Sequence, residues 1–234
     1  MSFAAQLKHI NRSLRIPFNR SAVLKKLAEF HKKPFNMDTL IDWAMKFPAS
    51  SGYMKVSSIQ IRYEIMSLAK AVAELKPKNI LEIGTARGGT LFIWSHLASS
   101  KVISCDLEDP KQRKEIYESF PNPASNCKVT HLNGDSHEKS FLQRVEKELA
   151  GEKVDFLFID GDHTEVGVEQ DYNDYHHLVR SGGLIAFHDI VEKQAIPCNQ
   201  VYYFWKRLKE KTVTEEFVND PEQTGYGIGI VRVP

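Results

Sequence analysis

From Asn79 onward, short apolar runs alternate with stretches in which apolar positions recur every three or four residues. The runs at 79–83 (NILEI), 102–106 (VISCD), 128–132 (KVTHL), 155–159 (DFLFI) and 184–188 (LIAFH) read as buried strands. Between them, Leu91/Trp94/Ala98, Phe141/Val145/Leu149 and Val168/Tyr172/Tyr175/Val179 each lay an apolar stripe along one side of a helix. This alternation predicts an α/β domain with a mostly parallel sheet and helices on both faces. Gly182-Gly183 is expected to end a helix and turn the chain into the 184–188 strand. The tail changes character: 201–210 (VYYFWKRLKE) reads as a helix, and 213–218 and 226–232 as a closing antiparallel hairpin, giving seven strands.

Upstream, Ile61/Ile65/Leu68/Val72/Leu75 form an amphipathic helix that ends at Pro77 and feeds the first strand. Residues 1–58 read as a helical extension broken at Pro17, Pro34 and Pro48, so the expected division is 1–58 and 59–234. The 234 residues carry a formal net charge of +1, so bulk charge gives no argument for nucleic acid or an acidic partner. The charge is unevenly spread. Lys8, Arg12, Arg15, Arg20, Lys25, Lys26, Lys32 and Lys33 face only Glu29 within residues 1–34, which leaves the remainder acidic. Cys105, Cys127 and Cys198 lack metal-type spacing, and their odd number argues against a secreted disulfide framework. No run approaches the ~18 apolar residues of a spanning helix, and no secretory core is present, so a cytoplasmic protein is expected. The acid-free first 28 residues also fit an organellar transit peptide.

In Leu81-Glu82-Ile83-Gly84-Thr85-Ala86-Arg87-Gly88-Gly89-Thr90, a strand ends in an acid and a glycine-rich turn opens a helix. Glycine suits a backbone that must pass close to a ligand lying across the strand ends. Ala86 stands where a dinucleotide-binding loop carries its central glycine, which disfavours a pyrophosphate ligand and an NAD dehydrogenase. The second strand ends in Asp106, followed by Leu107, where nucleotide-type α/β folds place an acid that accepts from ribose hydroxyls; the alternative is a helix cap. After the third strand, Gly134 permits close approach, and Asp135 or Ser136 can hydrogen-bond a base or cap a helix.

The next two strands deliver ionisable residues at their carboxyl ends, where open α/β sheets bind ligands: Asp160-Gly161-Asp162-His163 and His188-Asp189. Adjacent parallel strands lie about 4.8 Å apart, so Asp160 and Asp189 can reach one hard cation between them. Asp162 reads as the cap of a helix beginning near Thr164, His176 and His177 as surface residues, and His188 either as a metal ligand or as a hydrogen-bonded core histidine.

Residues 58–234 resemble class I S-adenosylmethionine-dependent methyltransferases, in the metal-dependent O-methyltransferase branch that contains macrolide-sugar methyltransferases and cephalosporin-hydroxylase-like proteins. The resemblance rests on LEIGTARGGT, the Asp160–His163 strand end, SGGLIAFHDI at Ser181–Ile190 and the FWKRLK helix. It implies a Rossmann-like fold and cofactor contacts from Glu82, Gly84, Thr85, Gly88, Asp106, Leu107, Gly134, Asp135, Ser136 and Asp160. It also implies a divalent metal at Asp160 and Asp189, with His163 as base. His188 departs from the acid found there in the branch, and joins the expected ligands. Mg²⁺ is the expected metal, with Mn²⁺ or another transition ion suited to the ring nitrogen. The acceptor is expected to be a small molecule or a glycan. A hydroxylase has no supporting ligand set. The alternatives are a metal-independent methyltransferase with His163 as lone base and a non-catalytic SAM-binding protein. Leu7/Ile10/Leu14 and Val23/Leu27/Phe30 have helical spacing with basic residues between them, so residues 1–58 are expected to cap the strand ends and to be shared within a homodimer or larger assembly.

Overall fold

A computed structural model describes residues 19–234. Leu7/Ile10/Leu14, and with them any targeting segment, lie outside the described residues. The chain enters through helix α1 (19–31), α2 (Met37–Met45) and α3 (Arg62–Glu74). Five βα units follow: β1 (Asn79–Ile83), α4 (Gly89–Leu97), β2 (Lys101–Asp106), α5 (Lys114–Glu118), β3 (Lys128–Asn133), α6 (Lys139–Leu149), β4 (Val154–Ile159), α7 (Glu165–Tyr175), β5 (Val179–His188) and α8 (Val201–Lys209). The hairpin of β6 (Thr214–Phe217) and β7 (Ile228–Arg232) closes the sheet.

Strand order is β3-β2-β1-β4-β5-β7-β6. The first five strands are parallel, and β7 runs antiparallel to both β5 and β6. The chain moves outward from β1 to β3 and then returns to place β4 on the other side of β1. That reversal opens a crevice at the carboxyl ends of β1 and β4, the usual ligand position in such sheets. Ile83 pairs with Ile159, and the amide of Asp160 donates to the Ile83 carbonyl at 2.8 Å, so the glycine loop after β1 and the acidic end of β4 start side by side.

Strand periodicity divides the core. Phe156 and Phe158 of β4 face one layer with Ile80, Trp94 and Leu68, while Leu157 and Ile159 face the other with Leu81, Phe141 and Val168. Helix α4 is buried continuously from Gly89 to Ser95, so its outer side needs a further apolar cover. Helices α1 and α2 supply it through Val23, Leu27, Phe30, Leu40 and Ile41, with the Phe30 and Phe92 rings 5.3 Å apart. This corrects the expected cap for the described residues: within 19–58 it is the stretch 52–58 that borders the carboxyl ends of the strands, whereas α1 and α2 pack beside α4. Residues 57 and 58 anchor that stretch by a bridge from Ser57 to Gly88 and a hydrogen bond from the Ser58 amide to the Ala44 carbonyl at 2.7 Å.

A second correction concerns Gly182-Gly183. Strand β5 already begins at Val179, and the glycines lie inside it, where its pairing with β4 shifts register between Val154 and Phe156. A side chain on Gly183 would meet the Asp155 carbonyl oxygen at 2.8 Å, so these glycines serve a bulge rather than a helix end. Among the described residues no helix is long and apolar enough to cross a membrane.

Candidate active site

The loop after β1 is set by two close approaches. Gly84 has φ +100°, and a Cβ there would lie 2.0 Å from the Asp160 carbonyl oxygen. Gly88 has φ +73° at the start of α4, and a Cβ there would lie 2.4 Å from the Tyr117 ring. Between them the Ala86 amide donates to Asp106 Oδ2 at 2.6 Å, while Asp106 Oδ1 accepts from the Glu108 amide at 2.7 Å. Asp106 therefore ties the ends of β1 and β2 together and does not cap the following helix.

Beside this loop lies a cavity of about 730 Å³. Its wall includes Gly84, Asp106, Leu107, Gly134, Asp135, Ser136 and Asp160, seven of the residues expected at a cofactor. Thr85 lines a neighbouring cavity instead. Glu82 and Gly88 line neither. Glu82 is fully buried beneath the loop, where it accepts from Trp94 Nε1 at 2.8 Å and from Ser104 Oγ at 2.5 Å. Burial pushes its carboxyl up to about 7, against the opposing hydrogen bonds from Ser104, Thr90 and Trp94. An acid at the end of β1 thus supports the loop from below because strand alternation turns it toward α4, away from the crevice.

Sequence reasoning missed the support of the Gly134–Ser136 turn. Ser136 Oγ donates to Asp171 Oδ1 at 2.8 Å, and His137 Nε2 lies 3.3 Å from the same oxygen. Asp171 is completely buried on α7, and its hydrogen bond, opposed by partial burial, raises His137 to about 9. The available signal was an acid in the apolar stripe of α7, three residues after Val168 and four before Tyr175.

The second cavity, of about 340 Å³, is walled by residues 57–60, the glycine loop, and the segments after β5 and before β7. It shares Gly84, Arg87, Asp160 and His163 with the larger one. Ligand atoms of Asp160, His163 and Asp189 all lie within 4.8 Å of one another. His163 Nε2 is 3.3 Å from Asp160 Oδ1, and its Nδ1 is 3.9 Å from Asp189 Oδ2. Asp189 follows β5 in a left-handed conformation, φ 65°, that few residues other than Gly, Asn and Asp adopt readily.

His188, expected as a ligand, lies beside the two carboxylates. It is 5% exposed, and its Nδ1 lies 3.2 Å from Asp160 Oδ1 and 3.3 Å from Asp189 Oδ1, so the ring nitrogen converges on both carboxylates from the buried side. Burial alone would lower its basicity, but the charges of Asp160 and Asp189 outweigh it and raise His188 to about 10. The two histidines in turn hold Asp160 well below the usual carboxylate range in spite of burial. The hydrogen bond with Asp160 raises His163, against the effect of burial. Asp162 makes a turn by accepting from the Thr164 amide at 2.8 Å; the cap of α7 is Thr164, which accepts from the Gly167 amide at 3.0 Å. His176 and His177 are exposed, as expected.

Two further side chains reach the carboxylates. Gln60 Nε2 donates to Asp160 Oδ2 at 3.1 Å, and Asn199 Nδ2 donates to Asp189 Oδ2. Neither sits in a motif, and only tertiary folding brings them in.

Residues 81–190 match the family model of a methyltransferase domain. A protein of Acanthamoeba polyphaga mimivirus is 27% identical over 137 residues, a match spanning 56% of this chain and 60% of that protein. Among solved structures, the O-methyltransferase from Bacillus cereus in complex with SAH is 20% identical, with a TM-score of 0.56, over 85% of this chain and 92% of that one. TomG, an O-methyltransferase from Streptomyces achromogenes, is 12% identical, with a TM-score of 0.57, over 86% of this chain and 92% of its own. MycE, the methyltransferase of the mycinamycin pathway in complex with Mg and SAH, is 17% identical, with a TM-score of 0.57, over 86% of this chain but 55% of its own. The domain match over residues 81–190 and the likeness to these solved structures give this chain the methyltransferase fold.

Proposed function

We propose that the protein transfers a methyl group from S-adenosylmethionine to a hydroxyl of a small molecule or glycan, with a divalent cation at Asp160 and Asp189 and His163 as base. The observation that carries this reading is the shared wall: Asp160 and His163 stand where the larger cavity, suited to the cofactor, meets the smaller one. Donor carbon and acceptor oxygen would meet at that wall, and alignment contributes most when such atoms are held about 3–3.5 Å apart. Asp106 offers its remaining lone pairs to ribose hydroxyls, and Leu107 and the Gly134–Ser136 turn border the base. The acceptor proton passes to His163, whose proton affinity Asp160 raises, as the oxygen takes the methyl and the sulfonium leaves as a neutral thioether.

Two carboxylates with ligand oxygens within 4.8 Å of one another suit a divalent cation, Mg²⁺ or a transition ion such as Mn²⁺, and leave His163 beside them as the base. Bound there, it would stabilise the negative charge of an acceptor alkoxide. The complex of MycE with Mg and SAH supports that reading. A second reading, transfer without metal, is favoured by His188, a resident cation lying against both carboxylates. Labelled-methyl transfer into a cell extract, with and without a chelator, separates the two: loss of transfer supports the metal, and full retention the second reading.

A homodimer or larger assembly in the cytoplasm accompanies this proposal. Ile59 and Ile196 border the cavities at 54% and 62% exposure, apolar surface that a second subunit would cover.

A further inference from the structure

We infer that Gln60 and Asn199 form an amide clamp that fixes the two carboxylates and presents their Oδ1 atoms to a cation. This rests on the proposed cation site at Asp160 and Asp189. The two residues come from opposite ends of the molecule's wall around the smaller cavity: Gln60 from the stretch leading into α3, Asn199 from the segment leading into α8. Their amide nitrogens do the same thing. Each donates to the Oδ2 of one aspartate, 100 residues along the chain in one case and 10 in the other. The Oδ1 atoms face a common side with His188 Nδ1, which is 3.2 Å from one and 3.3 Å from the other, so two oxygens and a ring nitrogen converge there. Hydrogen bonds to a charged carboxylate are the stronger kind, and a carboxylate held by a neutral amide keeps its full negative charge for a cation. A lysine or arginine in the same place would neutralise it.

The cost of this arrangement supports a functional role. Gln60 is 7% exposed, yet its Oε1 has no hydrogen-bond partner among the described residues, and the same is true of Asn199 Oδ1. An unmet buried acceptor costs about 1–3 kcal/mol, so an apolar residue would serve packing alone at least as well. What an apolar residue cannot do is donate to Asp160 or Asp189. Outer-shell partners of this kind typically change metal affinity by 10–100-fold when removed.

The test uses the full chain and Mn²⁺ as probe. Mn²⁺ affinity is read from the electron paramagnetic resonance of the free ion, and SAH affinity and melting temperature are measured alongside. Gln60→Ala, the similarly shaped Gln60→Met and Asn199→Leu are each compared with wild type. The clamp predicts that Mn²⁺ affinity falls about 10–100-fold in the Gln60 variants and in Asn199→Leu, while SAH affinity stays within about twofold. Unchanged Mn²⁺ affinity in the variants overturns the clamp and leaves the cation site standing. Parallel loss of SAH binding also overturns it, since the amides would then be general structural supports. Wild type that binds SAH but no Mn²⁺ overturns the cation site and the clamp together.

Discussion

Glu82 accepts a hydrogen bond from the Trp94 indole at 2.8 Å, joining the end of β1 to the helix that follows it. The pair is completely buried, and burial holds the carboxyl at about 7, above its ordinary 4.5, against the hydrogen bonds it accepts. Between those values the folded chain keeps a proton that the unfolded chain releases, so stability falls as pH rises. The contribution is full below about 4.5 and lost as pH passes through about 7. Glu82→Gln removes this titration. The melting temperature of wild type relative to the variant should therefore decline from pH 5 to pH 8, and a constant difference would contradict the account.

Asp106 should matter more to cofactor than to folding. Asp106→Ala removes two hydrogen bonds from the Ala86 and Glu108 amides in a half-exposed position, a stability loss of about 1–2 kcal/mol. Loss of ribose contact and of loop position together should weaken SAM binding by about 100-fold, or ~2.7 kcal/mol. Calorimetry and denaturant melts on the same variant compare the two. A stability loss as large as the affinity loss would make Asp106 a structural tie.

Gly84→Ala tests the crowding between the loop and the end of β4. The new methyl would fall 2.0 Å from the Asp160 carbonyl oxygen at a backbone angle that disfavours alanine. Both effects destabilise, by roughly 2–4 kcal/mol in all. A melt unchanged from wild type would mean that the loop is free to move away from β4.

At the chemical centre, Asp160→Asn and Asp189→Asn should abolish metal-stimulated turnover while SAM still binds. His163→Ala should lower turnover by about 10²–10⁴-fold if it takes the acceptor proton. Single-turnover methyl transfer reads both effects, and an unchanged rate in His163→Ala would leave that histidine a packing role.

The fold was legible because each buried strand announces itself as an apolar run and each helix as a stripe; the strands 79–83 and 102–106 differ from β1 and β2 by at most one residue. The strand-end residues were legible for the same reason, since the carboxyl ends of parallel strands meet in one crevice. What was hidden depends on direction rather than position. Glu82 lies in the right motif but strand alternation turns it inward. Gln60, His137, Asp171 and Asn199 act through contacts spanning 10 to 100 residues or through a buried helix face, and nothing in their immediate neighbours marks them. The N-terminal helices misled because a basic amphipathic stretch reads alike whether it covers a site or, as Leu27 and Phe30 do, the side of another helix.

The central claim is that the cavity beside Gly84 and Asp106 is built for S-adenosylmethionine. Calorimetric titration of the full chain with SAH, with NAD as the competing ligand class, tests it most directly. The account predicts saturable one-to-one binding of SAH that Asp106→Ala weakens, and no measurable binding of NAD. Tight binding of NAD without binding of SAH would contradict it.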